Sequence, residues 1–165
     1  MQAAGFRARA CVIHEPSMRL ASEILREQFA ALPFRHRNDG SVEVLLVTSR
    51  RTGRWVIPKG WPAVGMRPFE TAAREAMEEG GVVGRISENP IGSYRHKKRL
   101  SDGTSVRCRV DVYALEVESQ MPAWPESDQR ETRWFILDVA AQSVREPELK
   151  SVILNLGRLV RHALL

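Results

Sequence analysis

Cysteine is scarce in these 165 residues. Cys11 and Cys108 stand alone, at no metal-ligand spacing. Two thiols cannot make a disulfide framework, and reduced thiols in a cytoplasm are the simpler expectation. Long apolar runs are missing too: none approaches the ~20 residues that span a bilayer. The first residues, MQAAGFRARACVIHEPSM, hold two arginines but neither a long apolar core nor a clear cleavage signal, so no secretory or anchoring role is expected. Internal repeats and low-complexity stretches are absent.

What is present is an ordinary globular balance, 43% apolar and 27% charged, in a chain long enough for one well-filled core. The net charge is +5 and the isoelectric point about 9.8. Such a surface concentrates anionic ligands. Nucleic acid, phosphorylated small molecules and acidic membranes all satisfy it, and charge alone does not choose among them.

Residues 1–25 are expected to be an extension, an interface arm or a disordered tail, preceding a domain over 26–165. Met18, Leu20, Ile24, Leu25 and Phe29 have helical spacing. FAALPF reads as a short strand, with Pro33 suggesting a sheet edge. RHRNDGS reads as a polar turn with Asp-Gly chemistry, and VEVLLVTS and RWVIP after it as buried strands. Pro68 suits a first helical position, and the glycines Gly80 and Gly81 suit a helix end. Strands near 82–86 and 91–95, a hairpin at SDGT and a long strand from Val106 follow. The long strand changes phase near Val112 and Tyr113, which predicts a bulge. An acidic loop over 118–130, a strand RWFIL and a C-terminal amphipathic helix complete an α+β pattern.

The helix from Pro68 carries Glu75, Glu78 and Glu79, at i, i+3 and i+4 on one face. Three like charges repel, and the C-terminal end of the helix dipole disfavours them further. Each mismatch costs roughly a few tenths of a kcal/mol. A hard divalent cation would offset this, and Mg²⁺ suits oxygen ligands and phosphate substrates. The glycine-bearing loop before the helix can bring carbonyl groups to the same ion.

At this point the sequence resembles the Nudix hydrolase superfamily. Its box runs Gly, five residues, Glu, seven residues, then Arg-Glu-apolar-x-Glu-Glu-x-Gly-apolar. Gly60, Arg74, Glu75, Ala76, Glu78, Glu79, Gly81 and Val82 fall in register. Met66 departs, standing where the family has its first glutamate. A thioether carries no charge, so weakened or retuned activity is expected, and Glu70, four residues before Arg74, is a candidate to hold that arginine. The resemblance implies an α/β/α sandwich with a mixed central sheet. It implies Mg²⁺, with Mn²⁺ able to substitute, held by Glu75, Glu79, Glu78 and the Gly60 carbonyl. Catalysis falls to Glu78 as general base, with Glu75 the alternative, and Arg74 supporting.

Outside the box, the stretches AALPFR, VLLVTSRRTGRWVIPKG, DVYALEV and RETRWF are similar to the diphosphoinositol polyphosphate and diadenosine polyphosphate hydrolases. That branch implies a basic collar for anionic substrates. The candidates are Arg35, Arg50, Arg51, Lys59, Arg130 and the run Arg95-His96-Lys97-Lys98-Arg99. The run lacks interleaved aromatics, so base stacking is not indicated. Glu131 is a candidate distant carboxylate, with Glu126 and Asp128 competing. The expected activity is hydrolysis of a phosphoanhydride in a diphosphate linked to another moiety. A non-catalytic binding module of the same fold is the alternative, and a nucleic-acid-binding protein a third class. Membrane partners are not expected, and a homodimer is left open.

Overall fold

The structure, a computed structural model, describes residues 25–162. Its strands are β1 (Arg26–His36), β2 (Val42–Thr48), β3 (Trp55–Val56), β4 (Lys59–Gly60), β5 (Val82–Ile86), β6 (Gly92–Arg99), β7 (Ser105–Gln120) and β8 (Thr132–Ile136). The helices are α1 (Pro68–Gly80), α2 (Leu137–Ser143) and α3 (Pro147–Arg161). The strands form one mixed sheet. β3, β2, β1, β7 and β5 lie side by side, β4 pairs with β1, β6 with β7, and β8 with β2. Only the β1–β7 pairing is parallel among those described, from Arg26 beside Cys108 to Phe34 beside Glu116.

Both faces of this sheet are covered, giving the expected α/β/α sandwich. Alternation along β1 sends Phe29 and Ala31 toward α1, where they meet Ala72, Ala76, Tyr113 and Leu115. Ala30, Leu32 and Phe34 go to the other side, against Leu149, Ile153 and Leu156 of α3. Burying each large aliphatic side chain contributes about 1.5–3 kcal/mol.

Several expectations need correction. The helical spacing through Phe29 fails from Arg26 onward, because those residues are strand; the rest of that segment, like Cys11, lies outside the described residues. Double-sided burial, seven consecutive buried positions in β1, removes the alternation that marks a strand. Pro33 sits in a central strand rather than at an edge. It is tolerated because β4 pairs with β1 at Phe29 and Ala30 and β2 takes over at Phe34, leaving Pro33 between the two pairings. The bulge is not at Val112: β7 keeps unbroken register there with β1 and β6. It lies further on, where Val83 and Gly84 of β5 face Ser119 and Val117 and skip Glu118. The phase change near Tyr113 records burial on both faces instead. The acidic loop starts later than expected, since β7 continues to Gln120. The short helix α2 was not anticipated.

Cys108 is a buried free thiol. No helix among the described residues is long and apolar enough to cross a membrane.

Candidate active site

α1 begins as its sequence demands. Pro68 occupies the first turn, and Glu70 folds back so that Oε2 accepts from the Arg67 backbone N–H at 2.7 Å. Its other oxygen takes Arg67 Nη2 at 2.8 Å. Glu70 is therefore committed to capping, and it does not hold Arg74 as the sequence suggested. The helix ends at Gly81, whose φ of 67° suits glycine and whose N–H closes on Met77 O at 3.0 Å. The Trp124 ring packs where a Gly81 side chain would stand, and its Nε1 donates to Glu79 O at 3.3 Å.

Two of the three box glutamates converge on β4. A Cβ placed on Gly60 would fall on the Glu75 carboxylate, so only glycine lets that group approach the strand. Glu79 Oε2 accepts from the Lys59 backbone N–H at 3.2 Å. Glu79 is 7% exposed. Burial pushes its carboxyl up to about 7, against the lowering pull of Lys59 and Arg130. Glu78 is more exposed and points toward Arg74, with Oε1 3.5 Å from Nε.

Each carboxylate is matched by a cation of the chain. Arg74 Nη2 donates to Glu75 Oε1 at 2.9 Å, and its Nη1 lies 3.6 Å from Met66 Sδ. Arg130 donates to Glu79 through Nη2. Among the described residues, no group of three or more His, Cys, Asp or Glu side chains gathers into a ready-made cage. The donor set nonetheless fits a hard divalent ion: hard oxygens on one helix face, two of them drawn to the β4 backbone beside a glycine-only cradle.

Beside Glu79 opens a cleft of about 530 Å³. Its walls include Arg50, Arg51, Arg54, Lys59, Lys97, Lys98, Arg99, Arg130 and Arg145, with Glu79 the one carboxylate among them. Burial pushes the Lys59 ammonium below its ordinary value, against the pull of Glu79. The basic run on β6 is split by strand alternation. His96 and Lys98 turn inward, and Lys98 rests over the Trp61 ring, 4.5 Å from its centroid. His96 lies 2.8 Å from Gln28 Oε1; burial, with Lys59, Arg54 and Lys98 nearby, holds its pKa down to about 4. It is a neutral group in a cationic wall.

Two expected collar residues lie elsewhere. Arg35 pairs with Glu43 at 2.5 Å and stacks on Trp134, 4.0 Å from the ring centroid. Arg95 faces a smaller hollow with Leu25 and Arg107. Of the distant carboxylates, Glu126 is the one tied to the site, through Arg130 Nε at 2.5 Å. Glu131 is anchored by its backbone N–H on Thr48 Oγ1 at 2.9 Å. Sequence reasoning missed Arg54, which lies inside the family-like stretch VLLVTSRRTGRWVIPKG, and Arg145 and Gln28, which lie in no recognisable motif.

The sandwich thus sets an acidic helix end under a cationic cleft. The NUDIX domain model matches residues 26–156, and the chain belongs to that family. It is similar to Nudix hydrolase 16, mitochondrial, of Arabidopsis thaliana, 33% identical over 136 residues, covering 75% of each chain. Nudix hydrolase 13, mitochondrial, of the same plant is 32% identical, over 70% of this chain and 59% of that protein. Diphosphoinositol polyphosphate phosphohydrolase 2 of Rattus norvegicus is 31% identical, over 72% of this chain and 62% of that protein. This chain thus spans less than two thirds of the length of several relatives. Among solved structures, a C. elegans Ap4A hydrolase binary complex matches with a TM-score of 0.62 at 18% identity, covering 84% of this chain and 99% of that one. The NUDIX domain of Shewanella oneidensis NrtR, complexed with ADP ribose, matches at 0.60 and 18% identity, over 93% and 95%. At that identity the likeness concerns the fold.

Proposed function

We propose that this protein is a divalent-metal-dependent hydrolase, using Mg²⁺ or Mn²⁺. It would cleave a phosphoanhydride in a diphosphate joined to a second moiety rich in phosphate. The observation that carries this reading is the approach of Glu75 and Glu79 to the Lys59–Gly60 strand, beside the cationic cleft. Glu75, Glu79, Glu78 and the Gly60 carbonyl would hold the ion. When bound, it would neutralise phosphate oxygens and acidify a water.

The rest of the chemistry belongs to the chain. Glu78 takes the proton from the attacking water as its oxygen bonds to phosphorus, and the anhydride P–O bond breaks toward the leaving phosphate. Arg74 steadies Glu75 and Glu78. Arg51, Lys97, Arg99 and Arg145 line the cleft with no ion pair among the described residues, and they receive the remaining phosphates. Several cations without counter-ions favour a ligand with more charge than a simple diphosphate. The diadenosine tetraphosphate of one fold neighbour and the diphosphoinositol polyphosphate of one relative are the first substrates to try.

The test is a panel of these two compounds and ADP-ribose, each with Mg²⁺ or Mn²⁺, scored for products. Metal-dependent release of a phosphorylated product supports the reading. Tight binding with no turnover of any compound overturns it.

A further inference from the structure

Arg130 was expected to contact substrate, yet its guanidinium is already engaged. It stands in the loop between β7 and β8, and 6% of its side chain is exposed. Nε donates to Glu126 Oε2 at 2.5 Å, Nη1 to Thr48 O at 2.8 Å, and Nη2 to Glu79. The first two partners do not depend on Glu79. Thr48 ends β2, and Glu126 is fixed by its backbone N–H on Glu78 O at 3.1 Å and by Arg50 Nη1 at 3.4 Å. Breaking one bond therefore frees one nitrogen while the guanidinium stays anchored on the wall of the cleft.

A nearly buried carboxylate requires a counter-ion, because removing its partner leaves an uncompensated charge. Arg130 is that counter-ion, through its Nη2. A divalent ion at Glu79 would bring two positive charges beside the guanidinium, where water screens them poorly. The ion and the arginine compete for one carboxylate.

We propose that Arg130 is a resident counter-ion of Glu79: it holds the carboxylate in place before the metal binds, and is left with an unpaired Nη2 donor on the cleft wall when the metal displaces it. This rests on the reading that Glu79 is a metal ligand. It makes Arg130 a positioning residue that sets metal affinity, and it couples metal arrival to the exposure of a donor toward the phosphate cleft.

The experiment measures Mg²⁺ binding by calorimetry at pH 8.5 without substrate, where proton competition for the carboxylate is small, alongside melting temperatures with and without the ion. Arg130→Gln should melt lower than wild type when metal-free, bind Mg²⁺ about tenfold more tightly, and show a larger rise in melting temperature on adding it. Arg130→Lys, which keeps the charge, should stay within about threefold of wild type in affinity. A lower melting point for Arg130→Gln with unchanged or weaker Mg²⁺ binding means a purely structural arginine, and overturns the proposal. Should that variant not fold, NMR of the wild-type protein decides. The Arg130 guanidinium signals should lose exchange protection over the same Mg²⁺ range that saturates binding; signals that do not move overturn the idea. Wild-type protein that takes up neither Mg²⁺ nor Mn²⁺ overturns the functional reading as well, whereas uptake without the Arg130 effects overturns this proposal alone.

Discussion

The sulfur of Met66 lies 3.6 Å from Nη1 of Arg74, in the place where the family's box has a glutamate. A thioether is a weak acceptor, so that nitrogen is poorly held. Arg74 Nε is buried without a hydrogen-bond partner. The arginine leans instead on Glu75, one of the proposed metal ligands. Met66→Glu should draw the guanidinium back, free Glu75, and tighten Mg²⁺ binding by about tenfold, equivalent to ~1.4 kcal/mol. Calorimetry and initial rates check it. If neither metal affinity nor turnover changes, Met66 does not limit the site.

Glu79→Gln and Glu78→Gln should separate metal holding from proton transfer. The first should lower both Mg²⁺ affinity and turnover by orders of magnitude while the protein stays folded. The second should lower turnover by ~10²–10⁴-fold, the range of a lost general base, with metal affinity changed far less. Near-normal rates in Glu79→Gln refute its assignment.

Gly60→Ala tests the cradle. The new methyl would land on the Glu75 carboxylate, with the β4–β1 pairing on its other side. The expected result is a stability loss of about 1–3 kcal/mol from overpacking, with impaired Mg²⁺ binding. Urea unfolding and calorimetry measure the two. An alanine variant binding metal normally would mean Glu75 works from another position.

Glu79 predicts opposite pH slopes for stability and for metal binding. Its carboxyl is raised from 4.5 to about 7, chiefly by burial. The native state therefore binds this proton more tightly than the unfolded chain does. The resulting stability is fully present below about 4.5 and is lost as pH rises through about 7. Metal binding requires the ionised form, so Mg²⁺ affinity should fall roughly tenfold per unit as pH drops below about 7, and level off above it. Melting curves and titrations from pH 5 to 8.5, compared with Glu79→Gln, isolate the group. Parallel slopes for the two proteins contradict the expectation.

Arg51 and Arg145 line the cleft from well-separated parts of the chain. Replacing both with alanine should raise KM about tenfold with little change in kcat, the pattern of lost uniform binding. Since both are accessible, added salt should shrink the difference between variant and wild type. A fall in kcat with unchanged KM would place them nearer the reacting phosphorus.

The acidic helix was legible because its logic is local. Glu75, Glu78 and Glu79 share a face by periodicity alone, and Pro68 and Gly81 mark its ends. β2, β5 and β8 were legible as well, as apolar runs bounded by turns. What escaped was either ambiguous or distant. FAALPF was legible as strand, but the apolar spacing through Phe29 fits a helical wheel and a strand buried on both faces needs no alternation, so only the start of β1 was misread. Glu70 had the right spacing for Arg74, yet the backbone of Arg67 was closer. The partners that define the cleft are far apart in sequence. Arg130 meets Glu79 across 51 residues, and His96 meets Gln28 across 68. A single sequence carries no signal for such pairs.

The parallel pairing of β1 with β7 also bears on how the chain is made. The first described strand leaves the ribosome long before residues 105–120 exist to dock against it. A nascent β1 can pair with β2 and β4 and meet α1 early, but its other edge waits for a partner that arrives about eighty residues later. Synthesis stalled before β7 would leave that edge open to misassembly.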